Sequence, residues 1–143
     1  ALEIIWCPPL EGRIDAMAYK LLEAARRRRV SRLLVDGMEA FGQSALQPER
    51  LGRFFTALAG ELRNAGVTTL YTLEVPSGSD PAERLAPVSA IAQYLLVLRF
   101  AELGADVRRT VTIRKSRRSA FDPRIRAFRI GERGITIGDA VGA

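Results

Sequence analysis

Apolar positions along the chain follow two spacings. From Arg13 to Arg29, Ile14, Met17, Ala18, Leu21, Leu22 and Ala25 recur at steps of three and four, and from Pro48 to Gly66, Leu51, Phe54, Phe55, Leu58, Ala59 and Leu62 do the same. Each set makes one apolar stripe, which predicts two amphipathic helices. Pro48 suits the opening of the second, where its missing N–H is harmless, and Gly66 supplies its stop. Between them Leu33, Leu34 and Val35 form an unbroken apolar run ending on Asp36. A run without alternation predicts a strand covered on both faces, central in a parallel sheet, with Asp36 at its C-terminal edge. Val67 to Glu74 is rich in β-branched and aromatic residues and predicts the next strand, reached by a right-handed parallel crossover. Leu2 to Trp6 predicts an earlier strand, closed by Pro8-Pro9.

The second half changes period. Tyr94 to Phe100 predicts a strand and Gly104-Ala105-Asp106 a turn. Val107 to Arg114 then alternates, with Val111 and Ile113 on one face and Arg108, Thr110, Thr112 and Arg114 on the other. Arg126 to Ile130 and Ile135 to Ile137, split by the Gly131 to Gly134 turn, predict a terminal hairpin. Short helical turns are expected at Met38 to Phe41 and Val88 to Ala92, and a mobile loop at Pro76 to Pro81. The expectation is a single α/β domain over 1–143. It is β-α-β-α-β first and then strands on the same, mostly parallel sheet, with an antiparallel extension.

Composition narrows the chemistry. The 143 residues carry a net charge of +6, almost wholly from arginine, since Lys20 and Lys115 are the only lysines. Guanidinium forks suit phosphate and carboxylate. The absence of histidine removes imidazole acid–base chemistry and imidazole metal ligands. Cys7 stands alone, which excludes a disulfide framework and reads as a small hydrophobe. No apolar run approaches a membrane span, and no basic segment precedes a hydrophobic core at the start, so a cytoplasmic protein is expected. The Arg26 to Arg29 run falls in the last turn of the first helix, where cations complement the dipole. A solvated helix end and a nucleic-acid patch both fit that run, the former better.

Two places can carry chemistry. Asp36 stands where open α/β sheets put their sites, though an acid before glycine equally caps a turn. The segment Arg114-Lys115-Ser116-Arg117-Arg118-Ser119, followed by Phe121-Asp122-Pro123-Arg124, leaves a strand with the donors for a phosphate. A solvated basic loop is its plainer reading. Neither Gly-x-x-x-x-Gly-Lys-Ser/Thr nor Gly-x-Gly-x-x-Gly occurs, so the 143 residues hold no recognisable triphosphate cradle.

Taken in order, Leu2-Glu3-Ile4-Ile5-Trp6 with Pro8-Pro9-Leu10-Glu11, Arg32-Leu33-Leu34-Val35-Asp36-Gly37, Glu61-Leu62-Arg63 with Gly66-Val67-Thr68-Thr69-Leu70, Ser89-Ala90-Ile91-Ala92, Leu98-Arg99, Lys115-Ser116-Arg117, Phe121-Asp122-Pro123 and Gly134-Ile135 resemble bacterial KaiC-like ATPases of the RecA superfamily. The resemblance spans essentially the whole chain. It implies the C-terminal part of a RecA-like P-loop NTPase core, with the Walker A loop upstream. Asp36 then matches the Walker B carboxylate that orients magnesium on the terminal phosphates of ATP. Thr72 resembles the polar residue that senses the γ-phosphate. Lys115 and Arg117, with Ser116 between them, match a Lys-x-Arg pair reaching the nucleotide of a neighbouring subunit in a homo-oligomeric ring. Gln93 stands where the family usually has an acid, and Arg118 where it has glycine.

By that resemblance the intact protein uses ATP and magnesium in signalling or circadian-type regulation. The 143 residues alone are expected to be inactive and to hold no tightly bound cofactor. Two other readings stay open. One is a non-catalytic module recruiting a signalling partner. The other is single-stranded nucleic-acid binding through Arg26 to Arg29 and the basic loop, which the scarcity of stacking aromatics disfavours.

Overall fold

The computed structural model describes residues 2–6, 14–44, 48–76, 89–103 and 106–141. The chain divides into two compact units, Ala1–Ile91 and Ala92–Ala143. The first contains α1 (Ile14–Arg28), β1 (Arg32–Val35), α2 (Glu39–Ser44), a 3-10 turn (Pro48–Arg50) running into α3 (Leu51–Asn64), and β2 (Thr68–Tyr71). The second contains β3 (Tyr94–Leu103), β4 (Asp106–Ser116), β5 (Arg126–Gly131) and β6 (Gly134–Ala140).

α1 and α3 end in the same way. Val30 N–H donates to the Ala25 carbonyl at 2.9 Å and Arg29 N–H to Arg26 at 3.2 Å; Val67 donates to Leu62 and Gly66 to Arg63, both at 2.9 Å. Each pair is the double hydrogen bond of a Schellman stop, which needs a left-handed residue after the cap. Gly66 meets that need at φ 74°, whereas Arg29 takes φ 51° with a side chain attached. The chain leaves both stops as a strand. β1 and β2 pair in parallel with Arg32 opposite Thr68 and Val35 opposite Tyr71, so their C-terminal ends finish side by side.

Two clusters form the core of this unit. Ile14, Met38, Phe41 and Phe55 pack with Val35, Phe54 and Tyr71, while Ala25, Leu58, Leu62 and Val67 pack with Leu22, Val30 and Leu33. Leu62 is wholly buried. Phe41, Phe54 and Phe55 meet at centroid distances of 5.2 to 5.9 Å, and Phe55 lies edge-on to Tyr71 at 6.5 Å. These rings tie α2 and α3 beneath the end of β2.

Three expectations need correction. The Leu33-Leu34-Val35 run is covered on one face only: Leu33, Val35, Thr69 and Tyr71 are half-buried, while Leu34 and Leu70 are 59% and 60% exposed. A single crossover helix layer covers one side of a sheet, and an apolar run in sequence does not reveal whether a second layer is present. Residues 2–6 form no strand. Their apolar side chains stay exposed, Trp6 at 82%, because a ladder needs a partner strand and the described β1–β2 pair takes none. Finally, the later strands do not extend the parallel sheet. The described strands form a parallel pair β1–β2 and a separate antiparallel sheet β3-β4-β5-β6. The α/β class with a terminal antiparallel hairpin stands. The expected mobile loop lies beyond Pro76, outside the described residues, as does Cys7.

The antiparallel sheet has two unlike faces. Leu96, Leu98 and Phe100 oppose Ile113, Val111 and Arg109, and Phe128 and Ile130 oppose Ile137 and Ile135. Cross-strand partners share a face, so these apolar side chains lie together. That face is open, with Phe100 71% and Ile135 68% exposed. Arg109 covers the Phe100 ring at 5.7 Å. On the other face Thr110 is buried, its hydroxyl donating to the Arg99 carbonyl at 3.2 Å. Gly134, at φ 102°, closes the β5–β6 turn.

Candidate functional site

The parallel strands end in a hydrogen-bonded group. Thr72 N–H continues the ladder to the Val35 carbonyl at 3.0 Å, and the Thr72 carbonyl accepts from Met38 N–H at 2.9 Å. The Thr72 hydroxyl donates to Asp36 Oδ1 at 2.5 Å while accepting from Gly37 N–H at 2.9 Å. The Asp-Gly turn amide is thus taken by threonine from the neighbouring strand. Gly37 sits at φ 84°, a conformation that a side chain would strain. This lets the chain turn away just after the carboxylate and start α2.

Asp36 and Thr72, predicted separately, are therefore in direct contact and exposed. Glu39 was missed: its Oε2 accepts from Glu74 N–H at 3.3 Å, fastening the start of α2 to the chain after β2. The signal available was an acid in the first turn of a helix that follows the strand-end carboxylate. Beneath the group, burial pushes the Tyr71 hydroxyl pKa up, opposed by the Thr69 side chain and by the Arg63 charge, and the hydroxyl oxygen has no hydrogen-bond partner among the described residues. Among the described residues no three acids, cysteines or histidines gather as a metal cage. An exposed strand-end carboxylate fits magnesium, which usually keeps several waters and takes one or two carboxylates plus substrate phosphates.

The second group, in the other unit, holds Lys115, Ser116 and Arg117 where β4 ends. Lys115 faces Leu95 in the ladder, and Arg117 N–H donates to the Gln93 carbonyl at 3.0 Å. The Ser116 and Ser119 hydroxyls are 2.8 Å apart. Desolvation and then the Arg117 charge lower the Lys115 pKa. Asp122, quoted in sequence only as part of a motif, is the most heavily bonded acid of this unit. Its carboxylate takes Arg124 and Arg126 at 2.8 to 3.2 Å. These contacts hold its pKa far below the usual carboxylate range. The signal was an acid followed at two and four residues by arginine.

Three of the four arginines in the Arg26 to Arg29 run form ion pairs at the end of α1. Arg26 meets Glu61 at 3.0 Å, while Arg27 and Arg28 meet Glu3 at 3.5 and 2.9 Å. No helix among the described residues is long and apolar enough to cross a membrane.

This arrangement, a parallel pair with helices between and an antiparallel sheet after it, is the KaiC-like, RecA-type fold. The chain is similar to a solved KaiC-like protein, PH0186 from the hyperthermophilic archaeon Pyrococcus horikoshii, with a TM-score of 0.76 at 23% identity over 90% of this chain and 58% of that one. The family model described as "ATPase: KaiC" matches residues 9–141, and the chain belongs to that family. It is also 30% identical over 112 residues to circadian clock protein KaiC3 from Synechocystis, a match covering 76% of this chain and 21% of the relative. The chain thus matches about a fifth of that curated relative's length.

Proposed function

We propose that these residues form the Walker B part of a KaiC-type ATP-hydrolysing domain that acts in signalling or circadian-type regulation in the cytoplasm. Asp36 would orient magnesium on the terminal phosphates, and Thr72 would lie within reach of the γ-phosphate. Lys115, Ser116 and Arg117 would contact the nucleotide of a neighbouring subunit in a homo-oligomeric ring. Their cations would stabilise charge that develops on the transferred phosphoryl group. The observation that carries this reading is the Asp36–Thr72 contact at the paired ends of two parallel strands, on the carboxyl side where open α/β sheets bind their ligands.

The 143 residues contain no phosphate loop, so this polypeptide alone is expected to release no phosphate from ATP above background. Phosphate release, with Asp36→Asn as control, tests that; turnover that depends on Asp36 would refute it. In a longer chain carrying a phosphate loop, Arg117→Ala should cut turnover at least tenfold while leaving nucleotide affinity within a few-fold. A large loss of affinity would make Arg117 a binding residue instead. A second reading, a non-catalytic interaction module, is favoured by the open apolar face of β3–β6. It predicts that Asp36→Asn leaves partner capture intact.

A further inference from the structure

Between β4 and β5 the chain leaves the sheet over residues 117–125, and the second half of this excursion is tied down to the sheet. Asp122 accepts from the Arg124 backbone N–H at 3.0 Å, from Arg124 Nε and Nη2 at 2.9 and 3.1 Å, and from Arg126 Nε and Nη2 at 3.2 and 2.8 Å. Arg126 Nη1 continues to the Gly138 carbonyl on β6 at 3.2 Å. The Thr112 hydroxyl of β4 donates to the Pro123 carbonyl at 3.1 Å, and Val141 N–H to the Ile125 carbonyl at 2.8 Å. A carboxylate offers about four lone-pair sites, so Asp122 is saturated. It is also the only acid from Arg114 to Arg126, a stretch that holds Arg114, Lys115, Arg117, Arg118, Arg124 and Arg126.

Asp122 can affect an anion at the cationic end in two opposite ways. As a negative charge it opposes capture, an effect that solvent and salt screen at a partly exposed position. As a clamp it favours capture, because it orders the loop before the anion arrives. Charge-assisted bonds to two guanidinium groups, that of Arg124 spanning both carboxylate oxygens and that of Arg126 converging on Oδ2, are directional, so ordering outweighs screened repulsion. We propose that Asp122 is a positioning residue: its grip on Arg124 and Arg126 holds residues 117–125 in one shape, and phosphate capture at Lys115, Ser116 and Arg117 depends on it. This rests on the phosphate reading of those three residues.

The test is titration of the 143-residue protein with inorganic pyrophosphate at physiological salt, where the repulsion is screened, followed by NMR. Amide exchange at Arg124 and within β3–β6 is read in parallel. Asp122→Asn should weaken binding about tenfold and speed exchange at Arg124 while the strands stay protected. Asp122→Glu keeps the charge but displaces the fork, and should also weaken binding several-fold; it carries the test if the Asn variant does not fold. Unchanged or tighter binding in either folded variant would overturn the proposal, because it would make Asp122 a charge and nothing more. If wild-type protein shows no Arg117-dependent pyrophosphate binding, the phosphate reading itself falls and this dependence with it.

Discussion

At the scale of single residues, the two helix stops provide a matched comparison. Gly66 and Arg29 occupy the same left-handed position with the same hydrogen bonds. A side chain there costs roughly 1 kcal/mol. Gly66→Ala should therefore destabilise by about 1 kcal/mol and Arg29→Gly should stabilise by a similar amount, measured as opposite shifts of the urea midpoint. The glycine stop was legible in sequence. The arginine stop was not, because four successive arginines gave no sign of which one would turn.

Asp122 yields a pH prediction at this scale. Its folded pKa lies well below the ordinary value because of hydrogen bonds from Arg124 and then Arg126. The order it confers is therefore complete above the unfolded pKa of about 3.9, weakens below it, and is lost only as pH falls through the much lower folded pKa. Protection of the Arg124 amide, its exchange relative to an unfolded chain at the same pH, should stay high through mild acid and fall only in strong acid, whereas in Asp122→Asn it should be low and flat across that range.

At the scale of elements, the helices were readable because each buries a continuous stripe. The stripe of α3 ends on Leu62, which no solvent reaches. Leu62→Ala should cost about 3 kcal/mol, read from denaturant unfolding, as expected when a fully buried leucine leaves a cavity. The antiparallel strands were equally legible from their alternation and from the Gly131 to Gly134 turn. The Leu2 to Trp6 run does not form the strand its composition predicts: apolar content signals an ability to pair, and does not bring a partner edge alongside. The Asp36–Thr72 contact lay beyond a single strand's pattern, since it depends on the register that joins β1 to β2.

At the scale of the whole molecule, the α/β class followed from the change of period midway along the chain. The division into two sheets did not, because the pattern along a strand shows that it will pair and not which strand it will pair with. Both sheets show an apolar face to solvent, at Leu34 and Leu70 in one and at Leu98, Phe100 and Ile135 in the other. Contiguous exposed patches of this kind drive association. Light scattering from the 143-residue protein should therefore rise with concentration, and Phe100→Asp with Ile135→Asp should lower it without loss of circular dichroism.

The parallel register also limits how this chain can vary in length. Threonine meets the acid only because the steps from Gly66 to Thr72 keep pace with β1. One inserted residue would carry the hydroxyl about 3.3 Å along its strand and turn it to the opposite side of the sheet. This stretch can therefore accept replacements but not indels.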